Sequence, residues 1–308
     1  MLILVNPGAS RAEAALRELE TLTRDHPNTR VIKTSSADHL AQAIMQHGPS
    51  SARIVIGGGD GTISCALPQL LALGKPVAVL PLGTANDFAK TIGIGIDLAE
   101  AAQVAIEGVE HRIDVGVING RPFLNVASIG IPVDVAEAQS SQLKRRLRIL
   151  SYGASLRQAV HGAQPFTVDV QIDDRPSLGG LAYQVSVGNG RFHGGGLTVS
   201  DHASIDDGLL DVYIVRPGRY WQLFAALAYL RFGLGPKPEV LERHTASRVT
   251  LRTRKPRAVN VDGEVCAETP AEFSLEREAL TVVVPRTLPP GHLGLACLGR
   301  SAAKNALT

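Results

Sequence analysis

Apolar residues recur along the first third of the chain in short, β-branched runs separated by stretches with helical spacing. Leu2–Val5, Arg30–Lys33, Arg53–Ile56 and Val77–Leu80 predict strands, and Arg11–Leu22 and Leu40–His47 predict helices between them. This alternation predicts βαβ units and a mostly parallel sheet. Asp97–Glu107 predicts another helix, with an Asp start and Gly108 as its stop. Pro68 lies in the stretch after Ile56, so a helix there is expected to be short at its start or kinked.

From about His111 the pattern changes to successive strands. Ile113–Ile118, Phe123–Ser128, Thr167–Ile172, Ala182–Val187, Leu209–Val215, Arg248–Thr253, Ala258–Val261, Glu272–Leu275 and Leu280–Val284 all read as β. Asn119-Gly120, Asp207-Gly208 and Asp262-Gly263 supply turn signals. Helical segments are expected near Pro132–Val160 and Tyr220–Arg231. The fold class is therefore α/β followed by β. An N-terminal α/β domain with a mostly parallel sheet spans 1–117, and a C-terminal antiparallel β-sandwich domain spans 118–286, with 287–308 expected to return to the first. A cleft between the two is the expected ligand site.

Composition narrows the function classes. The 308 residues are 44% hydrophobic and 19% charged, as in an ordinary soluble globular protein. A net charge of +2 gives no global argument for nucleic acid. No apolar run is long enough to span a membrane, and Met1–Pro7 reads as a first strand, without the basic start of a leader. Cys65, Cys266 and Cys297 are widely spaced with no CxxC pair, which disfavours a disulfide framework or zinc site and fits a reducing cytoplasm.

The first strand ends in Asn6-Pro7-Gly8-Ala9-Ser10, anion-friendly ground at a helix start or a plain strand-to-helix turn. The third runs into Gly57-Gly58-Gly59-Asp60-Gly61-Thr62. Glycines let backbone N–H groups converge on an anion and let that anion approach closely. A carboxylate beside a phosphate is repulsive unless a cation or fixed hydrogen bonds intervene. The loop thus points to a nucleotide phosphate with a divalent metal, although a capped strand–turn–helix corner would use the same residues. Pro81-Leu82-Gly83-Thr84-Ala85-Asn86-Asp87-Phe88-Ala89 follows the next strand, on the same sheet edge, where open α/β sheets bind ligands. Thr84 or Asn86 could equally cap a helix there. Gly188–Gly196 and Ile205–Val212 bring an Asp206-Asp207 pair that suits a hairpin or a hard cation. At Asn260-Val261-Asp262-Gly263-Glu264, two carboxylates share a tip and could hold a metal or deprotonate an alcohol. There is no GxxxxGK[ST], no GxGxxG opening the first helix and no G-x-S-x-G elbow.

Taken in order, Gly58–Thr62, Pro81–Ala89, Asp207–Val212 and Asp262–Glu264 resemble the diacylglycerol kinase catalytic-domain family, with the closest likeness to its bacterial lipid kinase branch. The match runs over nearly the whole chain. The GGDGT loop is shared with NAD kinases and phosphofructokinases, whereas PLGTANDFA is much more specific to lipid kinases. The resemblance implies an NAD kinase/phosphofructokinase-like first domain, ATP as donor, Mg²⁺ and transfer of the γ-phosphoryl group to a lipid hydroxyl. It implies ATP contacts at Asn6, Pro7, Gly8, Ala9, Ser10, Thr34, Gly58, Gly59, Asp60, Gly61, Thr62 and Thr84. It implies Mg²⁺ at Asp207 with the carbonyls of Ser204 and Leu209. Glu264 would accept the proton of the attacking hydroxyl, supported by Asp262, and Asp87 would orient the acceptor. Two departures stand out: Ser10 is followed by Arg11 where the family reads Gly, and Ile63-Ser64-Cys65 replaces Ile-Asn-Glu. Arg11 could meet a phosphate.

A lipid acceptor implies a membrane surface and a cytoplasmic enzyme peripheral to the inner face; a homodimer is compatible with this. Lys144-Arg145-Arg146 with Arg148, the Arg252–Arg257 cluster, and Trp221, Phe224, Tyr229 and Phe232 suit lipid contact, although solvated faces and core packing explain them as well. A kinase for a soluble acceptor such as a sugar or NAD, and a non-enzymatic nucleotide-binding regulator, are the alternatives. Diacylglycerol, a sphingoid base, phosphatidylglycerol and an undecaprenol-like alcohol all remain open as acceptors.

Overall fold

The computed structural model describes residues 1–9, 11–22, 28–130, 164–190, 192–193, 197–198, 204–219, 221–223, 225–226, 229 and 237–287. The chain opens with β1 (Leu2–Val5), α1 (Ala12–Leu22), β2 (Arg30–Lys33), α2 (Ala37–His47), β3 (Ile54–Gly58), α3 (Asp60–Leu73), β4 (Val77–Pro81), α4 (Asp87–Thr91) and α5 (Leu98–Glu107). The strands pair in parallel in the order β2-β1-β3-β4. β1, β3 and β4 are buried at every position, as apolar runs covered on both faces must be. Ser36 caps α2 and Asp97 caps α5, each accepting a hydrogen bond from the backbone N–H three residues on. Ile63, Ala66, Leu67 and Leu70 form the buried stripe of α3. That helix runs to Gly74 with Pro68 inside it, so the expected short start is corrected: the packed stripe outweighs one missing N–H.

Beyond α5 come β5 (Val109–Ile118), β6 (Arg121–Phe123), β7 (Val126–Gly130), β8 (Phe166–Ile172), β9 (Leu178–Ala182), β10 (Gln184–Gly188), β11 (Phe192–His193), β12 (Leu197–Thr198), β13 (Leu210–Val215), β14 (Leu241–Ala246), β15 (Arg248–Thr253), β16 (Ala258–Val261), β17 (Glu264–Glu268) and β18 (Ala271–Val284). The segments expected at 272–275 and 280–284 are one strand. β18 carries an irregularity between Glu276 and Leu280, with Glu278 at φ 50. Its last residues pair in parallel with β4 at Val282↔Val77, and its first residues pair antiparallel with β15. The parallel sheet is thereby extended to ten strands, through β18, β15, β8 and β9 with β5 and β6 alongside.

The second sheet is antiparallel, in the order β14-β13-β10-β7-β16-β17. A core of Ile118, Phe123, Phe273, Val185, Val187, Val212 and Ile214 fills the space between the sheets, making a β-sandwich. Phe123 and Phe273 meet edge to face, 6.3 Å between centroids. β13 is buried throughout because both its faces are covered. Val212 and Ile214 face the sandwich core, while Tyr213 and Val215 pack with Leu223, Ala226 and Tyr229 of the helical stretch expected near 220–231. The expected helix near 132–160 lies outside the described residues.

Candidate active site

β1, β3 and β4 end on one sheet edge, and each releases a loop there. Thr62 sits over Gly58, where a Cβ would come within 2.5 Å of the Thr62 hydroxyl. Asn6 Nδ2 reaches Thr62 Oγ1 at 3.5 Å while its Oδ1 accepts from Gly8 N–H at 2.9 Å. A Cβ on Gly61 would meet nothing within 4 Å, so the first turn of α3 faces open space. A fourteen-residue helix presenting its N-terminus to that space favours an anion.

The β4 loop closes on itself. Asn86 takes the left-handed conformation, φ 51, and its amide pairs with both the N–H and the carbonyl of Gly83, at 2.9 and 2.8 Å. Its side chain therefore makes no helix cap. The N–H of Phe88 at the start of α4 is instead taken by Asp60 Oδ1 at 2.9 Å. Asp60 thus joins the two loops, and burial pushes its carboxyl up, with the neighbouring Asp87 adding to the rise. Asp87 is 3% exposed and pairs with Lys90 at 3.3 Å. Gly59 and Gly83 let the two backbones touch: a Cβ on Gly83 would lie 2.6 Å from Gly59 Cα.

Two residues expected to meet the nucleotide have partners within the protein. Thr34 reaches the same edge but is buried, its hydroxyl 3.4 Å from the Val5 carbonyl. Arg11 donates to the Ile96 carbonyl at 2.5 Å, so its guanidinium is already engaged. Pro7 and Thr84 are exposed, Ala9 is half-buried and Ser10 lies outside the described residues.

From the sandwich, the β16–β17 hairpin brings Asp262 and Glu264 to α3. Asp262 and Gly263, at φ 49 and 97, form the expected tight turn, and Asn260 Oδ1 accepts from Gly263 N–H. The Asp262 carboxylate accepts the N–H groups of Leu124, Asn125 and Val126 at 2.9, 2.9 and 3.0 Å, with Ser64 Oγ at 3.4 Å. These donors explain why the strand expected over Phe123–Ser128 breaks at Leu124 and Asn125. Burial drives the Asp262 carboxyl up, the three N–H groups oppose it, and Asp60 reinforces the rise. The side chain of Glu264 is 53% exposed, with Arg121 Nη2 3.7 Å from Oε2 and Cys65 Sγ 3.8 Å from Oε1. Burial and Glu264 push the Cys65 thiol up. Ser64 and Cys65, where the sequence departs from Asn-Glu, are therefore the helix residues that meet the two carboxylates. Their spacing of 198 and 199 residues from those partners left no local signal.

Asp207 occupies a separate turn between Ser204 and Leu209. Its carboxylate accepts the N–H groups of Leu209 at 2.9 Å and Ser204 at 3.2 Å, which ties it to both residues whose carbonyls are expected to join it on the metal. Partial burial, with Asp211 and Asp114 adding to it, pushes its carboxyl up to about 6. Among the described residues no three His, Cys, Asp or Glu side chains converge to hold a metal. The donor chemistry nevertheless suits a hard cation: a carboxylate amid the further negative charge of Asp211 and Asp114.

No helix among the described residues is long and apolar enough to cross a membrane. Trp221 is 63% exposed and Tyr229 packs, half-buried, against the Tyr213 cluster; Phe224, Phe232 and the 144–148 cluster lie outside the described residues. Arg252, Arg254 and Lys255 are exposed, whereas the Arg257 guanidinium stacks 4.2 Å from the Phe166 ring.

Two family models cover most of the chain. The diacylglycerol kinase catalytic domain matches residues 1–118, and the YegS C-terminal NAD kinase beta sandwich-like domain matches residues 125–284. The class that fold and loops define is a lipid kinase. The chain belongs to the diacylglycerol kinase catalytic-domain family, in its YegS-like lipid kinase branch. It is 31% identical over 297 residues to the "Probable lipid kinase YegS-like" of Pseudomonas aeruginosa (strain UCBPP-PA14), covering 93% of this chain and 95% of that protein. It is 29% identical over 237 residues to the "Diacylglycerol kinase" of Bacillus subtilis (strain 168), covering 76% and 78%. The crystal structure of a candidate diacylglycerol kinase from Bacillus anthracis str. Sterne matches with a TM-score of 0.78 at 26% identity, over 92% of this chain and 97% of that one.

Proposed function

We propose that the protein transfers the γ-phosphoryl group of ATP to a hydroxyl of diacylglycerol or a related lipid. The observation that carries this reading is the meeting of the Gly58–Thr62 and Pro81–Asp87 loops, joined through Asp60 and Phe88, with the Asp262–Glu264 turn at the start of α3. In this reading the N-terminus of α3 and the glycine loop hold the ATP phosphates. Glu264, exposed at the edge of the site, accepts the proton of the lipid hydroxyl. The hydroxyl oxygen then bonds to the γ-phosphorus, the bond to the β,γ-bridging oxygen breaks and ADP departs. Asp262, held by three N–H groups, sets the position of Glu264. Asp87 orients the acceptor. Asp207, with Ser204 and Leu209, would hold Mg²⁺, which supplies charge neutralisation and order when bound.

We further assign ATP to residues 1–117, with acceptor and metal in 118–286, and a working position against the inner membrane face. Purified protein incubated with labelled ATP, Mg²⁺ and parallel panels of lipids and soluble metabolites tests the reading. Label is expected in a lipid, and Glu264→Gln should lower kcat by about 10²–10⁴-fold with ATP binding retained. Label only in a sugar or NAD, or in nothing, would refute it.

A further inference from the structure

We propose that Asn189 is a positioning residue that fixes the Asp207 turn relative to the Asp262–Glu264 turn; the proposal rests on the kinase reading above. Asn189 follows β10 and is 1% exposed. Its backbone N–H donates to the Asn125 carbonyl at 2.9 Å. Its Nδ2 donates to two carbonyls, Asp114 at 2.9 Å and Leu124 at 3.4 Å. Those two acceptors set the amide's orientation, because the flipped form would place oxygen against oxygen.

Each neighbour leads to one turn. Leu124 and Asn125 donate their own N–H groups to the Asp262 carboxylate. Asp114, 2% exposed, accepts Gly208 N–H at 2.7 Å and Glu278 N–H at 2.8 Å, and its own N–H donates to the Ile205 carbonyl at 2.8 Å. A run of hydrogen bonds therefore reaches from Asp262 through Leu124 and Asn125 to Asn189, then through Asp114 to the residue beside Asp207. The adjacent Gly190 completes the junction: a Cβ there would lie 3.2 Å from Thr91 of α4, the helix that begins with Asp87. Among the described residues the buried Asn189 Oδ1 has no partner, at a cost an apolar residue would avoid. Its donors are what the site uses: two carbonyls from separate segments need one donor group between them.

The test compares wild type with Asn189→Ala and Asn189→Ser. Lipid phosphorylation is measured at saturating ATP, and the Mg²⁺ concentration giving half of the thermal upshift is measured without substrate. Asn189→Ala is expected to lower kcat about tenfold, the weight of one or two buried hydrogen bonds, with KM for ATP changed less than about twofold. The Mg²⁺ midpoint should rise several-fold, and amide exchange should quicken at both 124–126 and 204–209. Asn189→Ser, which keeps one donor, should fall between, and it carries the same measurements if the alanine variant does not fold. Wild-type kcat and an unmoved Mg²⁺ midpoint in a variant that is merely less stable would overturn the proposal. Failure of wild type to phosphorylate any lipid would sink the kinase reading instead, and the Mg²⁺ and exchange measurements would still decide whether Asn189 couples the turns.

Discussion

Gly83→Ala places a methyl carbon 2.6 Å from Gly59 Cα and 3.0 Å from Asn86 Oδ1. The first obstacle is backbone, so no rotamer relieves it. Ordinary contact starts near 3.4 Å, and the two loops must separate by about 0.8 Å. The Asp60–Phe88 bond, 2.9 Å long, spans those loops and would stretch to roughly 3.7 Å, beyond hydrogen-bond length. Overpacking costs about 1–3 kcal/mol, and loss of a bond to a charged acceptor about 1.5–3 kcal/mol. The two overlap, so a total near 3 kcal/mol is expected, or a fall in Tm of roughly 6–12 °C. A displacement approaching 1 Å between phosphate loop and acceptor side should lower kcat/KM by about 10²-fold. Gly61→Ala is the control. It meets nothing within 4 Å and gains helix propensity of up to about 1 kcal/mol, so Tm should not fall. If phosphate fills that open space, KM for ATP should nevertheless rise. Steady-state kinetics beside thermal melts read all of this. Gly83→Ala with wild-type Tm and kcat/KM would refute the loop-contact argument.

Other outcomes follow from the same geometry. Asp262→Asn turns an NH₂ toward the Leu124 N–H or the Asn125 and Val126 N–H groups, and should cost about 2–3 kcal/mol in urea unfolding. Glu264→Gln, at an exposed site, should be nearly neutral in the same assay. Asp207 has a folded-state pKa raised to about 6, so its stability increment is present below about pH 4 and is lost as pH rises through 6. Its exposed side screens that increment, and Asp207→Asn should flatten the dependence. Because Mg²⁺ needs the ionised form, its midpoint in thermal shift should climb as pH drops below about 6. Alkylation at Cys65, followed by peptide mass mapping at pH 8, should be slow in wild type and faster in Glu264→Gln, which removes the carboxylate that raises the thiol.

Much of the fold was legible from local pattern. β1, β2, β15 and β16 fall where alternation and β-branched runs predict them, and α5 lies between its Asp97 and Gly108 signals. β9 and β14 were not legible. Leu178–Ala182 is rich in glycine and Leu241–Ala246 in polar residues, and both are strands because neighbouring strands satisfy their backbones. The bulge joining 272–275 to 280–284 was hidden for the same reason: Glu276–Glu278 carries no apolar signal, and Asp114 accepts the N–H that the bulge exposes.

The sequence by itself determined the chemistry of each loop. Glycines that free backbone N–H groups and carboxylates that accept a proton or a cation carry those capacities wherever they fold, because the capacities belong to the residues. It also determined the order of the four motifs, and hence the family. Tertiary structure decided which loops meet. Asp60 caps a helix 28 residues away, Ser64 and Cys65 meet carboxylates nearly 200 residues on, and Asp262 is fixed by three N–H groups from another strand's approach. Such contacts depend on the sandwich docking against the parallel sheet through β18 and β5. No local preference records that docking, because its free energy lies in apolar area shared between segments distant in the chain.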